Sequence, residues 1–190
     1  MPDAAPTPDD ITAAHARIAP HVLRTPVLRT AALLPFPVEV KLEQMQLTGS
    51  FKARGAFNSL LSLDLPGTGV VAASGGNHGA AVAAAAAKLG VKARIFVPEV
   101  AGPAKIALIQ AQGAGLEVVP GQYAEAFARA EAYAGLTGAR MIHAYDAPAT
   151  LAGQGTVAKE WEEQGLEADT VLIAVGGGVE AQGLALVEPQ

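Results

Sequence analysis

Three short segments of the chain hold the residue types and spacings that could do chemistry. The first reads Lys41-Leu42-Glu43-Gln44-Met45-Gln46-Leu47-Thr48-Gly49-Ser50-Phe51-Lys52-Ala53-Arg54-Gly55-Ala56. Lys52 falls in the first turn of a predicted helix, where the positive end of the helix dipole disfavours a charged amine. That field would lower its pKa and help it attack a carbonyl, yet most lysines so placed are simply solvated surface charges. The second segment is Ala73-Ser74-Gly75-Gly76-Asn77-His78-Gly79-Ala80. Glycines between a strand and a helix allow close approach to a ligand, and the helix amides with Ser74 and Asn77 would suit a carboxylate or phosphate. A tight turn capped by Ser74 or Asn77, with His78 merely polar, accounts for the same residues. The third is Val175-Gly176-Gly177-Gly178, whose successive amides could form an anion-binding nest. Gly176, Gly178 and Ala181 also fit the loose dinucleotide pattern G-x-G-x-x-A. That match is weak, because it comes at the end of the pattern with no acidic partner after it.

The elements that must position these loops follow from the apolar pattern. From Val70 onward, short apolar runs alternate with helical stretches: strands at Val70–Ala73, Ala93–Val97, Leu116–Val119, Met141–Ile142 and Thr170–Val175. Helices are predicted at Asn77–Leu89, Pro103–Ala111, Tyr123–Ala134 and about Ala147–Gln164. This rhythm implies a parallel sheet with helices on its faces. Ahead of it lie a helix at Ile11–Ala19, an extended arm at Arg24–Leu28 and a strand at Val38–Glu43. Ser50 is the predicted N-cap of a helix reaching about Leu63. Ligands of open parallel sheets sit beyond the carboxyl ends of the strands, where all three segments fall.

Composition narrows the function classes. The formal net charge is −5 and no block of Lys or Arg occurs, which argues against a nucleic-acid surface. With no cysteine there is neither a disulfide framework nor a thiolate zinc site. The longest small-residue run, Ala80 to Ala87, is too short to span a bilayer. Residues Met1 to Asp10 lack the pattern of a signal peptide, so a frayed tail and a cytoplasmic protein are expected.

Taken together, the segments are far more specific than any one alone. Lys41–Ala56 closely resembles the cofactor-lysine segment of the serine/threonine dehydratase family, which includes threonine ammonia-lyases and serine racemases. The Ser74–Gly79 loop resembles that family's substrate-carboxylate loop, and Gly176–Gly178 its phosphate loop. Asp146-Ala147-Pro148 with Gly153-Gln154-Gly155-Thr156, and the Arg24-Thr25-Pro26 arm, are similar too. The likeness covers roughly Ile11 to Gly178.

The resemblance implies a two-lobed α/β enzyme of the tryptophan synthase β-like type (fold type II), dependent on pyridoxal 5'-phosphate. Residues 65–144 would form the smaller lobe; 1–64 and 145–190 would contribute to the larger one. Lys52 would hold the cofactor as a Schiff base and move the substrate's α-proton. Phe51 would pack on the cofactor ring, Asn77 would bond its phenolic oxygen, and Gly176, Gly177 and Gly178 would bind its phosphate. Ser74, Gly75, Asn77 and His78 would hold the substrate carboxylate. The family also implies a small hydroxy amino acid substrate, with no metal among these residues, and often a homodimer. Ala53 leans toward dehydration of L-threonine or L-serine, because cysteine-synthase-like and threonine-synthase-like relatives usually carry an acidic residue there. Serine racemisation and β-replacement are the nearest rivals. The pattern departs after Gly178, where a family helix is missing and Gly183–Gln190 already looks like the next strand. A truncated or internally deleted form, or part of a longer chain, is therefore expected, with a catalytically incompetent binding fragment as another alternative.

Overall fold

The structure is a computed structural model, which describes residues 5–145 and 147–173. The first helix, α1 (Pro8–Ile18), starts on a reciprocal cap: Asp10 N donates to Thr7 Oγ1 and Thr7 N donates to Asp10 Oδ2. Strands β1 (Val27–Thr30) and β2 (Val38–Lys41) pair antiparallel. Two 3₁₀ turns, Glu43–Met45 and Leu47–Gly49, then lead into α2 (Lys52–Ser62). The alternating region follows as β3 (Val70–Ala73), α3 (Asn77–Leu89), β4 (Ala93–Pro98), α4 (Pro103–Gln110), β5 (Gly115–Val119), α5 (Tyr123–Thr137), β6 (Arg140–Met141) and α6 (Pro148–Glu163).

The four later strands form a parallel sheet in the order β5-β4-β3-β6. The chain steps outward from β3 to β5, then returns to lay β6 on the other side of β3. Strand order thus reverses between β3 and β6, where open α/β sheets leave a crevice at their carboxyl ends. Alternate residues feed two cores, as the two-residue period of a strand requires. Val70, Ala72, Ile95 and Val97 face α3 and the helices behind it, while Val71, Ala73 and Phe96 face α5. The first core continues without a break into Ile18 of α1 and into Ala56, Phe57 and Leu60 of α2. Its dense packing explains the alanines of α3, most of which are fully buried.

Glycine decides one crossing in this arrangement. A Cβ added to Gly153 in α6 would lie 2.6 Å from Gly55 Cα and 2.8 Å from Arg54 O in α2. Backbone thus meets backbone, and the Gly153-Gln154-Gly155-Thr156 motif serves first to bring α6 against the helix that begins at Lys52.

Three expectations need correction. Ser50 does not cap α2: the residue preceding the helix is Phe51, already in helical geometry, with no side-chain cap bond. Ser50 is extended, one residue too early to cap, and its buried hydroxyl has no hydrogen-bond partner. Likewise neither Ser74 nor Asn77 caps α3, which starts after Gly76 without a side-chain bond. Ser74 Oγ instead accepts from Gly76 N at 3.1 Å, closing the loop on itself. Thr170–Ile173, read as the start of a strand, is not in a strand, and Leu172 is 88% exposed. The rest of that stretch, with Gly176, Gly177 and Gly178, lies outside the described residues. Among the described residues no helix is long and apolar enough to cross a membrane.

The glycine crossing predicts a contrast measurable by urea unfolding. Gly153→Ala should destabilise the chain by ~1–3 kcal/mol, because neither backbone can yield without moving its helix. Gly135→Ala, in α5 with open space around it, should be neutral or stabilise by up to ~1 kcal/mol. Equal stabilities would show that α2 and α6 do not depend on the close contact.

Candidate active site

A cleft of about 490 Å³ opens at the carboxyl ends of β3 and β6. Its walls include Lys52 from α2, Ser74–His78 after β3, Pro98 and Ala101 after β4, Tyr123 from α5, and Ala144 and Tyr145 after β6. The reversal of strand order and the short strand-to-helix loops bring these distant residues together. Of the expected site residues, the structure gathers Lys52, Ser74, Gly75, Asn77 and His78 around one cleft, with Phe51 beside the lysine.

The Lys52 amine is held at the base of α2 in a defined environment. It donates to Ala144 O at 3.2 Å and lies 5.1 Å from the Phe51 ring centroid and 4.8 Å from that of Tyr145. Two aromatic faces thus bracket the amine, and a cation over such faces is favoured by the ring quadrupole. Tyr123 brings a second phenol, whose pKa is raised by burial and further by the nearby Tyr145.

Opposite the amine, the Ser74–Gly76 loop presents backbone to the cleft. Gly75 cannot carry a side chain there, since a Cβ would come within 2.5 Å of the Ala101 Cβ. Gly79 is equally constrained, with Ser74 O at 2.8 Å from its virtual Cβ. These small residues press the first turn of α3 onto the strands, with the amides of Asn77, His78 and Gly79 lacking partners within the helix. That geometry and the helix dipole suit an anion. The exposed Asn77 side chain stands at the rim, while His78 is 6% exposed. His78 Nε2 lies 3.0 Å from Ile142 O. Burial lowers its pKa to about 4 against the opposing pull of that carbonyl, with the Lys52 charge adding to the fall. The ring is therefore neutral near pH 7, and because a carbonyl only accepts, Nε2 carries the proton. The His78 side chain thus fastens β6 to α3, and its backbone amide remains for a ligand.

A second set of residues, given no role by sequence reasoning, lies behind Lys52. Arg54 is fully buried and grips two carboxylates. Its Nε and Nη2 donate to Glu43 at 2.9 and 2.7 Å; its Nη1 and Nη2 donate to Glu160 at 3.0 Å each. Lys41 Nζ donates to Glu160 Oε1 at 2.5 Å, Thr25 N to the same oxygen at 2.9 Å, and Thr25 Oγ1 to Glu43 at 2.6 Å. Two cations thus meet two anions. Burial alone would push Glu160 up, but hydrogen bonds from Arg54 and Lys41 outweigh it and hold the carboxyl below its usual range. A signal was present: Gly153, Thr156 and Glu160 recur at helical spacing on one face, so a glutamate falls in line with tightly packed small residues.

Comparison with known proteins agrees with this geometry. Residues 18–187 match the family described as pyridoxal-phosphate dependent enzyme, and the chain belongs to that family. It is 37% identical over 174 residues to phenylserine dehydratase of Ralstonia pickettii, covering 88% of this chain and 53% of that protein. It is also 37% identical over 182 residues to the catabolic L-threonine dehydratase TdcB of Staphylococcus aureus, covering 93% and 53% respectively. The solved structure of maize serine racemase superposes with a TM-score of 0.92 at 37% identity, covering 96% of this chain and 57% of that one. The chain spans about half the length of the curated relatives it matches.

The described residues fit the family's cofactor. An amine in a recess can meet an aldehyde, the flanking aromatic faces suit a planar ring, and the Asn77 amide can bond a phenolic oxygen.

Neutral His78 makes a prediction for stability. Its pKa is 6.5 in the unfolded chain and about 4 in the folded one, so the unfolded state binds more protons in that window. Stability present above pH 6.5 is lost as the pH falls toward 4, by ~3 kcal/mol from this group. His78→Gln, which keeps an N–H for Ile142, should lose less stability by that amount in urea titrations at the two pH values. An unchanged pH dependence would contradict a buried neutral ring.

Proposed function

We propose that the protein is a pyridoxal-phosphate-dependent ammonia-lyase that converts L-threonine or L-serine to a 2-oxo acid and ammonia. The observation that carries this reading is the Lys52 amine facing, across one cleft, the amide-rich start of α3. When bound, the cofactor supplies an electron sink that makes the substrate's α-proton removable. Lys52 would hold the cofactor through its aldehyde carbon, and its amine would serve as the base for the substrate's α-proton. Ser74, Gly75 and Asn77, with the amide of His78, hold the substrate carboxylate, which fixes the α-carbon before the lysine. Phe51 would cover one ring face, and the Asn77 amide would donate to the phenolic oxygen. Gly176, Gly177 and Gly178 are assigned the phosphate by motif alone. Loss of the β-hydroxyl as water, followed by hydrolysis of the resulting imine, balances the reaction.

Residues 65–144 and the flanking segments 1–64 and 145–190 are read as the two lobes on either side of this cleft. By likeness to the family we also infer a cytoplasmic protein and a homodimer. Serine racemisation is the second reading, favoured by the close superposition on maize serine racemase.

Product analysis of the cofactor-saturated chain with L-threonine and L-serine separates the readings. The proposal expects 2-oxo acid and ammonia, reduced ~10²–10⁴-fold in Lys52→Ala. D-serine without 2-oxo acid would favour the racemase; no product, or full activity in Lys52→Ala, would contradict the proposal.

A further inference from the structure

Arg54 stands two residues beyond Lys52 yet does not line the cleft. The start of α2 needs some external hold. It has no side-chain cap, and the hydroxyl of Ser50 makes no hydrogen bond. The approach to it contains Thr48 at φ 63°, a left-handed conformation unusual for a threonine. Backbone bonds from Ala53 N to Ser50 O (3.4 Å) and Arg54 N to Phe51 O (3.0 Å) shape the turn but do not anchor it to the rest of the molecule. The Glu43–Arg54 pair closes this irregular stretch into a loop, with Phe51 and Lys52 inside it. The Glu160–Arg54 pair then fastens the loop to α6, whose preceding segment supplies Ala144 and Tyr145 to the lysine amine.

We propose that Arg54 is a positioning residue for Lys52: gripped by Glu43 and Glu160, it fixes the first turn of α2 so that the lysine amine is held between Phe51 and Tyr145 and against Ala144. This rests on the reading of Lys52 as the reactive amine. Arg54 contacts neither ligand nor reacting atoms and acts through the orientation of the helix start. A lysine in its place keeps the charge but loses the planar fork that holds both carboxylates.

The test uses the 190-residue chain without added cofactor. Each protein is acylated with acetic anhydride over a range of pH, and peptide mapping gives the rate at Lys52 relative to Lys92. Glu160→Gln and Arg54→Lys are compared with Ile18→Ala, a core truncation in α1 that lowers the melting temperature without touching the clamp. Both clamp variants should change the relative rate at Lys52, or its pH midpoint, by about fivefold or more, while Ile18→Ala leaves it unchanged. Should Arg54→Lys not fold, Glu160→Gln decides, since it retains an amide oxygen for the guanidinium. A Lys52 profile like wild type in a folded clamp variant of lowered melting temperature would overturn the proposal and leave the clamp a stabilising element only. Failure of the cofactor reading would appear in the product analysis and leave this comparison intact.

Discussion

Burying Arg54 takes a guanidinium out of water, which is unfavourable by several kcal/mol per ion before any partner is found. Here two carboxylates reach it from opposite sides of the chain, Glu43 eleven residues earlier and Glu160 in α6. Four of the five guanidinium hydrogen bonds go to carboxylate oxygens at 2.7–3.0 Å, the geometry that best offsets desolvation. Lys41 and Thr25 complete the shell, so the first arm, β2, α2 and α6 are joined at one point. Loss of a single member is costly, by ~3–5 kcal/mol, because the remaining charge would be buried without full compensation.

From this point the site can be followed outward. The Gly55–Gly153 contact sets α2 and α6 at backbone distance, and the clamp sets their register, so the segment before α6 meets the amine of Lys52. Independently, the parallel sheet reverses its strand order between β3 and β6 and leaves a crevice there. Gly75 and Gly79 then let the first turn of α3 sit close enough to present its amides. The cleft is the place where these constructions meet, and His78 ties them by bonding the end of β6.

Much of the sheet was legible in the residues alone. Val70–Ala73 and Asn77–Leu89 are read with the same bounds that the structure shows, because apolar runs punctuated by glycine leave few alternatives. Lys52, the Ser74–His78 loop and the cofactor followed from motifs, and the family match bears out the cofactor. The clamp was not legible: Glu43 and Arg54 stood within a quoted motif, but their partner lay more than a hundred residues away and only tertiary contact reveals it. Ser50 misled for a local reason, since a serine before a helix usually caps it and here the turn begins one residue later. Tyr145 escaped notice because a lone aromatic in a loop carries no periodic signal. The bond between the His78 ring and Ile142 was not legible either, because burial is invisible in the motif.

The central claim is that Lys52 is the amine that holds the cofactor. The most direct measurement is borohydride reduction of the chain after incubation with pyridoxal phosphate, followed by peptide mapping of the fixed label. The account predicts one equivalent of label on Lys52. Label spread over surface lysines, or none at all, would contradict it.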